Sequence, residues 1–182
     1  MQFIFIKKGL IFMKGKTHIA GGIALGYLAF NNIEVLNVNL SDDKILLLVT
    51  AGLTLGALIP DIDHKNSTIS NKVKPIGNII SKIFKHRGFT HSILGSIIII
   101  ILFGWLFSLT GINKVFNIIL IKSIYIGIIS HILLDMLTPS GVSLLYPYNK
   151  RYSIASFTMG GIGELMLVVL FVGIAYYNCY YI

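Results

Sequence analysis

His91-Ser92-Ile93-Leu94-Gly95-Ser96-Ile97-Ile98-Ile99-Ile100-Ile101-Leu102-Phe103-Gly104-Trp105-Leu106-Phe107-Ser108-Leu109 is the stretch on which the reading of this chain turns. After its first residue it carries no ionisable side chain, and five isoleucines follow one another from Ile97 to Ile101. A helix crossing the hydrocarbon core of a bilayer needs about 20 mostly apolar residues. Strands of an outer-membrane barrel alternate polar and apolar residues instead. This run does not alternate, so it predicts a transmembrane helix.

Working outward, three further segments read the same way: 17–35, rich in Gly and Ala; 45–60, short but apolar throughout; and 115–137. A fifth, 162–182, is weaker, with Glu164 near its start and Tyr176, Tyr177, Tyr180 and Tyr181 at its end. Tyrosines suit a membrane interface, where one end of the ring is wet. The predicted fold class is all-α: a polytopic membrane helical bundle of four to five transmembrane helices, with a polar cytoplasmic loop between helices two and three.

The composition agrees. The 182 residues are 55% hydrophobic and 12% charged, with a mean hydropathy of +0.82. A soluble domain carries roughly 25% charged residues, so soluble globular and disordered classes are excluded. The one cysteine, Cys179, excludes an internal disulfide framework and a cysteine-built zinc site. Residues 1–12 are apolar but interrupted by Lys7 and Lys8, with no small-residue cleavage site after them, a poor signal peptide. Met13-Lys14-Gly15-Lys16-Thr17-His18 looks like a natural start. The expectation is an interfacial extension or mis-assigned start over 1–12 and a single membrane-embedded domain over 13–182.

Alternating crossings put residues 1–16, 61–90 and 138–161 on one side. Those segments hold twelve of the fifteen Lys and Arg residues, including Lys150 and Arg151. By the positive-inside rule that side is cytoplasmic, which predicts a multi-pass inner-membrane protein. Lys122, inside the fourth span, is near enough to its far end to snorkel outward. The lysine-rich loop 65–87 has no interleaved aromatic set, so no specific nucleic-acid partner is expected; membrane lipids are.

Ionisable groups within such a chain cost several kcal/mol unless paired or solvated, and these are not scattered. His18 opens span one; Asp61, Asp63 and His64 close span two; His86 and His91 precede and open span three; His131 and Asp135 end span four. All of these ends fall on the lysine-rich side. His131 and Asp135, four apart, share a helix face with Cβ atoms about 5–6 Å apart. Imidazole with carboxylate suits a divalent cation such as zinc, iron or manganese; the alternative is a hydrogen-bonded pair stapling the helix. Pro60-Asp61-Ile62-Asp63-His64 puts carboxylates at a helix C-terminus, where anions are unfavourable, so they want a cation, although Asp63 could instead cap the next turn. In His86-Arg87-Gly88-Phe89-Thr90-His91-Ser92, His91 reads as a ligand, Arg87 as a phosphate partner, and Thr90 or Ser92 as a cap. Gly21, Gly22 and Gly26 after His18 allow close helix packing. Glu164 reads as a ligand, general base or snorkelling carboxylate.

Thr17-His18, Pro60-Asp61-Ile62-Asp63-His64-Lys65-Asn66-Ser67, His86-Arg87-Gly88-Phe89-Thr90-His91-Ser92 and His131-x-x-x-Asp135-x-x-Thr138-Pro139-x-Gly141 occur in that order. Together, from about Met13 onward, they resemble the YdjM-type family of LexA-regulated inner-membrane proteins, described as membrane-bound metal-dependent hydrolases. The resemblance implies a His/Asp metal site and, through a distant kinship with the zinc phospholipase C and nuclease superfamily, phosphoester chemistry.

The expected function is a metal-dependent hydrolase at the cytoplasmic membrane face, acting on a phosphoester or lipid-like, amphiphilic or phosphorylated substrate. His18, Asp61, Asp63, His64, His91, His131 and Asp135 are the expected ligands of one or two divalent ions, zinc foremost. Asp61 or Glu164 would serve as base, and Arg87, or Lys150 with Arg151, would hold a phosphate. The rival readings are a non-catalytic metal-binding membrane protein and a cation transporter.

Overall fold

The computed structural model describes residues 13–32, 40, 42–154 and 162–180. The expected extension at 1–12, the far end of the first predicted span and the last two residues of the fifth lie outside the described residues. Among those described there are seven α-helices and no strand, only an isolated antiparallel bridge between Val142 and Tyr152.

The helices are α1 (Gly15–Asn32), α2 (Asp43–Leu58), α3 (Thr68–Lys72), α4 (Lys74–Ile83), α5 (Ile93–Ser108), α6 (Lys114–Met136) and α7 (Ile162–Tyr180). Local chemistry sets their starts. Asp42 accepts from the amides of Lys44 and Ile45 ahead of α2, Ser92 from that of Gly95 ahead of α5, and Asn113 from that of Val115 ahead of α6. Each side chain satisfies an amide that the helix leaves without a partner. Thr90, the other candidate cap for span three, is engaged elsewhere.

α6 is the axis of the bundle. Its 23 residues reach about 34 Å at 1.5 Å per residue. Against it α2 packs most closely, because small residues let the two backbones meet. A Cβ at Gly56 would strike the carbonyl of Ile124, and one at Gly127 would strike the carbonyl of Leu53 and the amide of Ala57. Close approach through small residues is how helices associate where lipid removes the hydrophobic drive. α1 wedges against this pair: Gly22 faces Ala57 and Ser130, Gly26 faces Leu53, and Gly21 faces Leu134 and Phe171 of α7. The glycine face of α1 is therefore consumed within the chain.

The outside of the bundle is greasy. Ile97, Ile98, Ile101, Leu102 and Trp105 of α5 and Leu165, Met166, Val169 and Leu170 of α7 are all exposed. Contiguous apolar surface of this kind marks contact with something other than water. By length and composition, three stretches suffice to cross a membrane: Asp43–Asp63, Lys114–Met136 and Ile162–Cys179. The helical membrane bundle is thus observed, with two differences from the sequence expectation. α5 is a shorter apolar helix of 16 residues, because Phe89–His91 forms a separate 3-10 turn ahead of it. α1 is not among the three, since Lys16, His18, Asn31 and Asn32 interrupt its ends. The segment weakest by sequence, α7, is among them: its Glu164 is buried against the start of α1 rather than left in lipid.

Candidate metal centre

The end of α2 at Leu58 leads into a 3-10 turn, Ile59–Asp63, with Pro60 in its first positions. The start of α1 (His18), this turn (Asp61, Asp63), the segment before α5 (His86, Arg87, His91) and the last turns of α6 (His131, Asp135) converge at one end of the bundle.

The α2–α6 contact orients His131. It carries the carbonyl of Ala57 to 2.6 Å from His131 Nδ1. A carbonyl only accepts, so Nδ1 holds the ring proton and Nε2 keeps a free lone pair. That Nε2 lies 3.2 Å from His91 Nε2, 3.7 Å from Asp135 Oδ2 and 3.8 Å from Asp61 Oδ1. His91 Nε2 is 3.3 Å from Asp135 Oδ2 and 3.9 Å from Asp61 Oδ1. Ligands at about 2.0–2.1 Å from a common tetrahedral ion stand about 3.3 Å apart. Three donors, His91, His131 and Asp135, therefore meet at metal-ligand spacing, with Asp61 Oδ1 within 4 Å of both imidazoles.

A second ring of groups aims the first. Asp63, buried, accepts from the Arg87 amide at 3.2 Å and from the Thr90 hydroxyl, pairs with His86 Nδ1 at 2.7 Å, and stands 3.5 Å from His91 Nδ1. A carboxylate behind an imidazole fixes its tautomer and raises its basicity. Asp135 divides its oxygens: Oδ2 faces the two imidazoles, while Oδ1 accepts from Arg87 Nη2 at 2.6 Å. Arg87 Nη1 donates to Thr138 Oγ1 at 2.8 Å. Arg87 also holds a left-handed backbone, φ 64°, unusual for a residue with a Cβ and of the kind that collects at functional sites. Burial lowers the Arg87 pKa and Asp135 opposes that, but a guanidinium stays charged.

Charge and orphaned atoms test whether a cation fits. Asp61, Asp63 and Asp135 face the single guanidinium of Arg87, so cationic charge must come from protons on the imidazoles or from a bound ion, since burying unbalanced charge is costly. A dication would supply it. His18 stacks on His131 with ring centroids 3.8 Å apart; its Nε2 is 3.6 Å from Asp135 Oδ1, and its buried Nδ1 has no hydrogen-bond partner. The donor set, imidazole and carboxylate without thiolate, suits zinc and the other divalent ions of the first transition row. The residues fit the group.

Of the expected ligands, His91, His131 and Asp135 form one group, and His18 with Asp61 and His131 forms a neighbouring one. Asp61, His86 and His91 form a third. Asp63 stands behind His91. His64 falls outside all three groups; it is half-buried against the His86 ring at 4.7 Å, where burial and His86 lower its pKa. Glu164 is elsewhere: Oε1 accepts from the Lys14 amide at 2.8 Å and the Thr17 hydroxyl at 2.6 Å. Lys150 lies over the Tyr152 ring, and Arg151 donates to the Ser140 carbonyl. Thr138 on Arg87, Thr90 on Asp63 rather than as a cap, and the Ala57 carbonyl on His131 are contacts that sequence reading did not assign. Only the position of Thr138 three residues after Asp135, beside the site rather than in a random loop, hinted at one of them.

A cleft of about 330 Å³ opens on the centre, lined among others by Lys14, Lys16, His18, Asp61, His64 and Arg87. Fold and site together define a class: a helical integral membrane protein with a buried imidazole–carboxylate centre at one end of its bundle. The YdjM inner membrane protein family matches residues 13–181, and the chain belongs to that family. It is 34% identical over 146 residues to the inner membrane protein YdjM of Escherichia coli K12, covering 77% of this chain and 68% of that one. The Shigella flexneri protein of the same name matches equally. YvsG of Bacillus subtilis is 32% identical over 174 residues, 93% of this chain and 94% of its own. No solved structure matches.

Proposed function

We propose that the chain is a membrane-bound hydrolase that depends on a divalent metal, zinc by its donor set, and acts at the cytoplasmic face on a phosphoester or lipid-like substrate. The carrying observation is the meeting of His91 Nε2, His131 Nε2 and Asp135 Oδ2 within 3.2–3.7 Å, beside a basic cleft. His91, His131 and Asp135 would hold the ion, with His18 and His86 beside it. A bound ion of this kind lowers the pKa of water towards about 7 and polarises a scissile group.

The chain's own residues supply the rest. Ala57, Asp63 and Arg87 hold His131, His91 and Asp135 in position. Asp61, the least buried of the three carboxylates, lines the cleft and is placed to take a proton. Lys14 and Lys16 line the same cleft and suit an anionic group. The cytoplasmic assignment rests on the lysine excess at this end of the bundle. Translocation sites lie near the bilayer midplane; these groups lie at helix ends, which favours hydrolysis over transport.

Elemental analysis of purified protein, with a screen of phosphoesters and phospholipids, tests the reading. Near-stoichiometric zinc and a hydrolysis lost in both His131→Ala and Asp135→Ala are expected. Protein without stoichiometric metal, whose activity survives both substitutions, would overturn it.

A further inference from the structure

α4 has an apolar stripe that nothing among the described residues covers. Ile76, Ile79 and Ile83, at helical spacing, are 54%, 58% and 66% exposed. At 100° per residue these three fall within about 60° of one another, while Lys74 and Asn78 fall on the opposite side and Lys82 on its flank, all three exposed. The remaining face is pinned to the protein. Gly77 sits on Ser70 of α3, and the Phe84 ring after the helix stacks on Phe89 at 4.5 Å. α4 also touches the Ile59–Asp63 turn, so it lies at the end of the bundle that holds the centre.

We infer that α4 lies in the lipid interface at that end of the bundle, its isoleucine stripe in the acyl boundary and its lysines among anionic headgroups. Three observations select lipid. Four exposed lysines, Lys72, Lys74, Lys82 and Lys85, surround the stripe, and each attracts an anionic leaflet. A helix with one strongly polar and one strongly apolar face is the form that lies in an interface rather than crossing it. The stripe is also too small for a second copy of the chain: three isoleucines on a helix of 10 residues fall well short of the roughly 800 Å² per partner of a stable protein interface. Phe84 leads directly to His86 and Arg87, so the lipid seat steadies the segment that delivers them.

Full-length protein in a Cys179→Ser background, or Cys179→Ala if that folds better, would carry single cysteines at 76, 79 or 83 and at 74, 78 or 82. Each is labelled with bimane in vesicles of phosphatidylcholine with or without phosphatidylglycerol. Spin-labelled lipid should quench the first three at least about threefold more than the others. Replacing all four lysines by glutamine should remove the extra quenching that phosphatidylglycerol brings. Equal quenching at all six positions would overturn the inference, as would weak quenching at 76, 79 and 83 together with cross-links there between copies.

Discussion

The seam between α2 and α6 holds its functional groups through backbone, whereas the segment from Asp61 to His91 holds its own through side chains. In the seam, Gly56 and Gly127 bring two helices into contact, and the Ala57 carbonyl reaches His131 as a consequence. In the segment, no long helix sets the geometry. Asp63 gathers His86, the Arg87 amide and Thr90, and Arg87 reaches across to Asp135 and Thr138. One region places an imidazole through packing; the other places its groups through buried polar contacts. Damage to the seam should therefore be felt first as lost stability, and damage to the segment first as lost metal affinity.

The largest effect should follow Gly56→Leu. The new side chain meets the Ile124 backbone, which cannot step aside as a flexible side chain would. A destabilisation of about 3 kcal/mol is expected, read from thermal unfolding of metal-free protein in detergent. Gly173→Ala is the control: nothing lies within 4 Å of a Cβ there, so the change should be neutral or stabilise by up to about 1 kcal/mol. Equal unfolding midpoints for the two variants would mean that the seam is not what holds the bundle.

Asp63→Asn sharpens the other half of the contrast. Losing the carboxylate behind His91 should weaken metal binding about 10–100-fold, measured by competition with a chelator. The metal-free protein should lose only about 1 kcal/mol of stability. An unchanged affinity would show that Asp63 serves the fold alone.

The same contrast explains what could be read from the chain beforehand. His131 and Asp135 lie on one helix, so their spacing alone put them on one face, and the glycines of α1 announced close packing. Helix ends carrying His and Asp on the lysine-rich side predicted that distant groups would meet. The division of labour was not legible, because it depends on pairs far apart in the chain. Asp63 and His64 are neighbours of similar appearance, yet one stands behind His91 and the other packs on His86. Thr90 and Ser92 looked interchangeable as caps, yet only Ser92 receives the Gly95 amide while Thr90 turns to Asp63. No local pattern chooses between such neighbours; the surrounding helices do.

Glu164 gives the smallest expected effect and the cleanest separation of the two kinds of role. It lies 147 residues from Thr17, whose hydroxyl it receives, and its charge stands at the start of α1, where a helix favours an anion. Glu164→Gln keeps an oxygen for the Lys14 amide and the Thr17 hydroxyl but removes the charge. The expected loss is below about 1 kcal/mol, with metal affinity unchanged. Any hydrolysis should also keep its rate and its pH profile, because Asp61, not Glu164, lines the cleft beside the imidazoles. A rate that collapses in Glu164→Gln, with metal content intact and the acidic limb of the pH profile altered, would return the proton-accepting role to Glu164. It would also mean that α7 delivers a reacting group to the centre, not only a support for α1.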